Sequence, residues 1–230
     1  MKKTARESRP YFVVSLSLML IGNRLTYGLG RLLGQGRFHR DLTLPADALF
    51  PFLPWTISVY FGCFLFWAAI YRVISQRPRR ESDRFFLAGL LAKGVCFLFF
   101  VLLPTTNVRP EVTGTTVWDG LIRFLYRIDA PDNLFPSIHC MVSWLCLVGV
   151  RGKKNISVVW RGSALLMAVA VCLSTLTTRQ HVLADAAGGI LLGEFSYWIA
   201  GHERLLRGYS ALVDRLLRIM PKQERYICYD

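Results

Sequence analysis

Long apolar stretches recur along this chain, and they decide what it can fold into. Five of them read as bilayer spans, at 54–75, 85–104, 135–150, 156–178 and 181–200. Each is near the roughly 17–25 residues that cross a hydrocarbon core. The 135–150 stretch is short, so it recruits Asn133 and Leu134 or tilts little. A sixth stretch, 10–34, is weaker because Asn23, Arg24 and Arg31 interrupt it. Its basic start (Lys2, Lys3, Arg6, Arg9) and apolar core 11–22 would also suit a cleaved signal peptide, but no small-residue cleavage site follows, and it is kept as a span. The expected fold is all-α: a polytopic membrane protein, one membrane domain over 1–230, built as a bundle of six transmembrane helices.

The chain is 53% hydrophobic with a net charge of +13, a mean hydropathy of +0.36 and a pI of about 9.9. A soluble domain seldom combines these values, whereas a membrane protein with basic loops does so naturally. Nucleic-acid binding would need a basic face on a folded surface. Here the charges sit in short runs between apolar segments, so the expected partners are anionic lipid headgroups and no nucleic acid. Oligomeric state is left open. Six cysteines show no C-x-x-C pair and no histidine spacing suited to zinc, so no disulfide framework, metal site or cofactor is expected.

Orientation follows from the basic residues. With the N-terminus inside, segments 1–10, 72–84, 151–161 and 201–230 carry 4, 5, 4 and 6 of the 28 Lys and Arg. That bias places both termini in the cytoplasm and Arg109, His139 and His181 at the outer ends of their spans, in a cell membrane. The tail 203–219 reads as an amphipathic helix on the inner leaflet or a partner-binding helix. In the outer loop 105–134, Trp118 to Ile128 suits a short interfacial helix with Trp118 and Tyr126 as anchors.

Only four histidines occur, and two of them open apolar stretches: Phe135-Pro136-Ser137-Ile138-His139 and His181-Val182-Leu183-Ala184-Asp185. If the second segment is helical, His181 and Asp185 share a face and can hydrogen-bond, holding the imidazole in one tautomer with its other nitrogen free to attack. Phosphoryl transfer through a protein nucleophile needs an attacking group, a proton donor for the departing oxygen and fixed positive charge. His181 oriented by Asp185 fits the first, His139 the second, and Arg109 can clamp a phosphate bidentately with Ser137 as a further hydroxyl donor. Plainer roles exist. Either histidine alone could be a cap or an interfacial polar group, and Ser137 could simply cap a helix. Gly188, Gly189 and Gly193 suit close helix packing, and Lys93 either snorkels or pairs with Glu194.

The order Arg109-Pro110, Pro136-Ser137-x-His139, then Ser174 and His181-x-x-x-Asp185 resembles the type 2 phosphatidic acid phosphatase superfamily of integral lipid phosphatases and phosphotransferases, over about residues 85–200. The resemblance implies a six-helix membrane bundle without a metal. It makes the residue at His181 a nucleophile that becomes phosphorylated, the one at His139 the leaving-group acid and Asp185 its support. The chain departs from the family's pattern twice: Leu102 stands where a lysine is usual, and Thr175 where an arginine is usual. Arg179, Arg123 or Arg127 are the candidates to compensate. A subset resembling inositol phosphosphingolipid synthases also lacks that arginine and transfers a phosphoryl headgroup to an alcohol. The expected function is hydrolysis of a lipid phosphate (phosphatidic acid, phosphatidylglycerol phosphate or a polyprenyl diphosphate). The alternatives are a lipid phosphotransferase and a non-catalytic lipid-binding or transport protein.

Overall fold

The computed structural model describes residues 8–219. Lys2, Lys3 and Arg6 of the basic start, and the end of the tail with Cys228, lie outside the described residues. About 74% of the described residues are helical. Among the described residues, strand is confined to a two-residue parallel pairing of Arg40–Asp41 (β1) with Thr105–Thr106 (β2). The described residues hold eight α-helices: α1 Ser8–Gly34, α2 Ile57–Ser75, α3 Arg79–Leu102, α4 Val117–Ile128, α5 Ile138–Val150, α6 Val158–Thr177, α7 Leu183–Ile199 and α8 Glu203–Ile219.

Among the described residues, four helical stretches are long and apolar enough to cross a bilayer: Pro10–Gly34, Pro54–Ser75, Arg79–Leu102 and Val158–Thr177. Asn23, Arg24 and Arg31 do not break the first, because a helix satisfies its backbone internally whatever its side chains carry. The expected spans 135–150 and 181–200 are shorter as helices. α5 has 13 residues, about 20 Å of rise, and α7 has 17. In both, the first residues lie outside the helix, which starts after an extended cap residue: Ser137 for α5 and Val182 for α7. Large apolar side chains such as Leu65, Leu166 and Leu191 face outward, at 79%, 70% and 68% exposure. A water-soluble surface does not tolerate so many, whereas a lipid-facing one requires them.

The helices pack with their directions matched. α1 and α3 run the same way, with Tyr11 against Phe86 at one end and Tyr27 against Phe100 at the other. α2, α5 and α7 share a direction too. Tyr60 and Trp67 of α2 meet His139 and Ser143 of α5 in order, and Gly189 and Gly193 of α7 lie on the backbone of α5 from Ser137 to Leu145. A methyl at Gly189 would stand 2.5 Å from the Ser137 carbonyl oxygen, which is the close helix contact these glycines were expected to allow. The starts of α2, α5 and α7 therefore gather at the end of the bundle where α1, α3 and α6 finish.

Two expectations are corrected at the opposite end. α8 keeps the bounds expected for the tail, but its apolar stripe Leu206, Tyr209 and Val213 is buried in the same core as α1 and α3. Asp83, a fully buried carboxylate near the start of α3, links the helices there. It accepts from Tyr11 Oη (2.8 Å), Arg79 Nε (2.8 Å) and Ser210 Oγ of α8. Glu194 is not the mate of Lys93, because it accepts from Arg151 and from Trp144 Nε1 instead.

Candidate active site

His139 is the second residue of α5, and Ser137 puts it there. The Ser137 hydroxyl caps the helix by accepting from Cys140 N–H (3.3 Å), and its own N–H donates to the Asp185 carbonyl of α7 (3.0 Å). The peptide between Phe135 and Pro136 is cis. The His139 ring is buried in an aromatic box: Tyr60 lies 4.4 Å away between centroids at 30°, Trp67 at 5.6 Å and Phe64 at 6.2 Å. Its Nδ1 faces the Tyr60 hydroxyl at 3.4 Å, a long contact. Among the described residues its Nε2 has no partner.

The turn that presents His181 is built differently from the helical face the spacing suggests. His181 precedes α7, whose N-cap is Val182. α6 ends in a Schellman turn: Gln180 N–H donates to Thr175 O (3.0 Å), Arg179 N–H to Leu176 O (3.1 Å), and His181 N–H also reaches Thr175 O (3.1 Å). Arg179 takes the left-handed position of that turn, φ 53°, which usually falls to glycine. Asp185 then folds back over the start of α7. One carboxylate oxygen accepts both from Val182 N–H (3.1 Å) and from His181 Nδ1 (3.3 Å). The histidine–aspartate pair therefore exists, but through a helix cap. This leaves His181 Nε2 without a partner among the described residues.

Three other segments clamp the turn. Asp47, in a 3-10 turn at Pro45–Leu49, accepts from Leu183 N–H (2.7 Å), and its carbonyl takes the Arg179 guanidinium (3.1 Å) together with that of Phe50 (2.7 Å). Asn107 donates to Arg179 O (3.0 Å), and Tyr126 of α4 donates to Thr178 O (2.8 Å). Tyr126 is thus a tether of the site; Trp118, 41% exposed, is free to act as an anchor.

The two imidazoles come together, with centroids 6.1 Å apart and planes at 51°. Arg109 approaches them through Gln180, donating Nη2 to Gln180 Oε1 (2.9 Å) and Nη1 to the Asp129 carbonyl, with its guanidinium over the Tyr126 ring. Arg109 Nε and Gln180 Nε2 are buried donors without a protein partner, and an anionic oxygen would satisfy them. Arg179 is turned away and bound to backbone carbonyls. Arg123 is held by the carbonyls of Val112 and Gly114. The fully buried Ser137 hydroxyl serves α5. Gln180, Tyr60 and Asp47 carry no motif and were not expected from the sequence.

A cavity of about 530 Å³ opens beside His139. Its wall is aromatic where α2 lines it, with Tyr60, Phe61, Phe64 and Trp67. α1 contributes Asn23, Arg24, Tyr27, Gly28 and Arg31, and the chain after α4 contributes Asp129. Arg31 is paired with Asp132 (3.0 Å) and lies 3.9 Å from Asp129. Burial pushes the Asp129 carboxyl above its ordinary range, while Arg109, His181 and Arg31 pull it the other way. Arg24, Gly28, Phe64 and Ile128 are exposed, so the cavity opens on the side of the bundle. Among the described residues no group of three or more His, Cys, Asp or Glu is placed to hold a metal ion. No protein-family model matches this chain, and no curated protein or solved structure matches it.

Proposed function

We propose that this chain is a membrane-embedded lipid phosphatase that works through a phosphohistidine, with six helices crossing a cell membrane and the site at the outer face. In this reading α5 and α7, with the segments that lead into them, complete the crossing beside α2. The observation that carries it is the pair of facing imidazoles at 6.1 Å, each with Nδ1 engaged and Nε2 free of protein partners. His181 Nε2 attacks phosphorus. The bond to the lipid oxygen breaks with its electron pair staying on oxygen, and His139 delivers a proton there. Asp185 holds the His181 Nδ1 proton and offsets the positive charge the ring gains. Arg109 Nε and Gln180 Nε2 offer hydrogen bonds to the phosphoryl oxygens. Water then attacks the phosphohistidine, giving its proton to the neutral His139. The P–N electron pair returns to His181, and phosphate leaves.

A second reading, a phosphotransferase, draws on the cavity: its volume beside His139 suffices for an alcohol in place of water. One assay separates the two. Purified full-length protein in detergent is given phosphatidic acid, phosphatidylglycerol phosphate or undecaprenyl diphosphate, with EDTA, beside His181→Ala. The phosphatase releases inorganic phosphate in EDTA, and His181→Ala abolishes the release. Phosphoryl transfer to an added alcohol without free phosphate would establish the second reading. Equal rates for wild type and His181→Ala would remove both.

A further inference from the structure

The polar residues of α1 lie within a span long and apolar enough to cross a bilayer. Asn23, Arg24, Tyr27, Gly28 and Arg31 follow helical spacing, and all five line the cavity that ends at His139. A cation in such a segment is costly unless it is paired or functional. Arg31 is paired, with Asp132 and Asp129. Arg24, one of the exposed lining residues, makes no ion pair or hydrogen bond among the described residues. It sits seven residues before Arg31, about 10 Å deeper along the helix axis.

His139 fixes what that cavity must hold. As the acid, it faces the oxygen that departs with the lipid, so the leaving group occupies the space His139 lines. The terminal phosphate lies beyond it, at His181, Arg109 and Gln180. A neutral diacylglycerol would leave Arg24 unanswered in this space. A leaving group that keeps a phosphate of its own would meet it, with its chain passing out between α1 and α2 along the aromatic wall.

We infer that Arg24, with Asn23 beside it, binds a second phosphate carried by the leaving group, so the preferred substrates are lipid diphosphates or bisphosphates rather than lipid monophosphates. This rests on the assignment of His139 as the leaving-group acid. Gly28, which lines the same cavity, gives an independent handle on it, since a methyl added there meets no atom within 4 Å.

The test is equilibrium binding of farnesyl diphosphate and farnesyl monophosphate, which share one tail, to detergent-solubilised full chain carrying His181→Ala so that neither probe turns over. The diphosphate should bind at least about tenfold more tightly, as expected for a charge-assisted phosphate contact. Arg24→Gln should bring that ratio to near one, and Arg24→Lys should restore much of it. Gly28→Leu should weaken both probes by filling the cavity. An unchanged ratio in Arg24→Gln, or unchanged binding in Gly28→Leu, overturns the proposal. Because binding is read without turnover, this outcome is independent of the phosphate-release assay. A protein that prefers the diphosphate through Arg24 but releases no phosphate would keep the site and lose the phosphatase.

Discussion

At the scale of single residues, the site depends on a residue whose charge suggests one role and whose backbone shows another. Arg179 was a candidate to replace a missing phosphate-binding cation. It instead holds a left-handed turn at φ 53° and ties its guanidinium to the carbonyls of Asp47 and Phe50. A non-glycine residue in that conformation costs on the order of 1 kcal/mol, and the two hydrogen bonds offset it. The expected outcome separates the roles: Arg179→Gly removes the strain along with the bonds and keeps most of the activity and melting temperature. Arg179→Ala removes the bonds and keeps the strain, and loses more of both. If Arg179 contacts phosphate, the two variants lose kcat/KM equally, which paired kinetics and thermal unfolding would show. No glycine marks this turn in the sequence, so its shape could not be read there. The His181–Asp185 spacing could be read, although a cap makes the contact that a helix face was expected to make.

At the scale of elements, α5 and α7 must lie close for His139 and the turn before α7 to face each other. Gly189 sets that distance, because a methyl there would stand 2.5 Å from Ser137 O and 3.0 Å from Met141 N, both backbone atoms. Gly189→Ala therefore pushes the helices apart, and the expected destabilisation is about 1–3 kcal/mol, typical of overpacking. Phosphate release should fall more steeply than stability, since the gap between the imidazoles widens with the helices. Gly94→Ala in α3, where an added methyl meets nothing within 4 Å, is the control and should change neither. Equal melting temperatures for the two variants would show that α5 and α7 have slack. Periodicity makes such elements legible: α8 has the bounds expected from its amphipathic pattern, and α4 begins one residue before the expected start. The 3-10 turn at Pro45–Leu49 was not legible, because its position is set by contacts with residues more than a hundred positions away. Arg24 and Arg31 read as interruptions of a span for a related reason. Hydropathy registers their polarity but not the cavity on which their helix face borders.

At the scale of the whole molecule, the arrangement of helices turns orientation into a testable statement. The starts of α2, α5 and α7 and the ends of α1, α3 and α6 gather around the two histidines, and the basic loops lie at the other end with Asp83 and α8. If the bias of Lys and Arg governs insertion, the histidine end faces out. Val108, 83% exposed in the loop after β2, reports on that end. Asn155, exposed between α5 and α6, reports on the other. The five cysteines of the described residues are buried and unpaired, so Cys228→Ser gives a background suited to single-cysteine labelling. With a membrane-impermeant maleimide, Val108→Cys should label in intact cells and Asn155→Cys only after permeabilisation. The reverse pattern would put the histidines on the cytoplasmic face, and phosphate would then be released inside the cell. Labelling of both in intact cells would mean that the apolar helices do not separate the two ends across a membrane, and the basis for a lipid substrate reached from the side of the bundle would go with it.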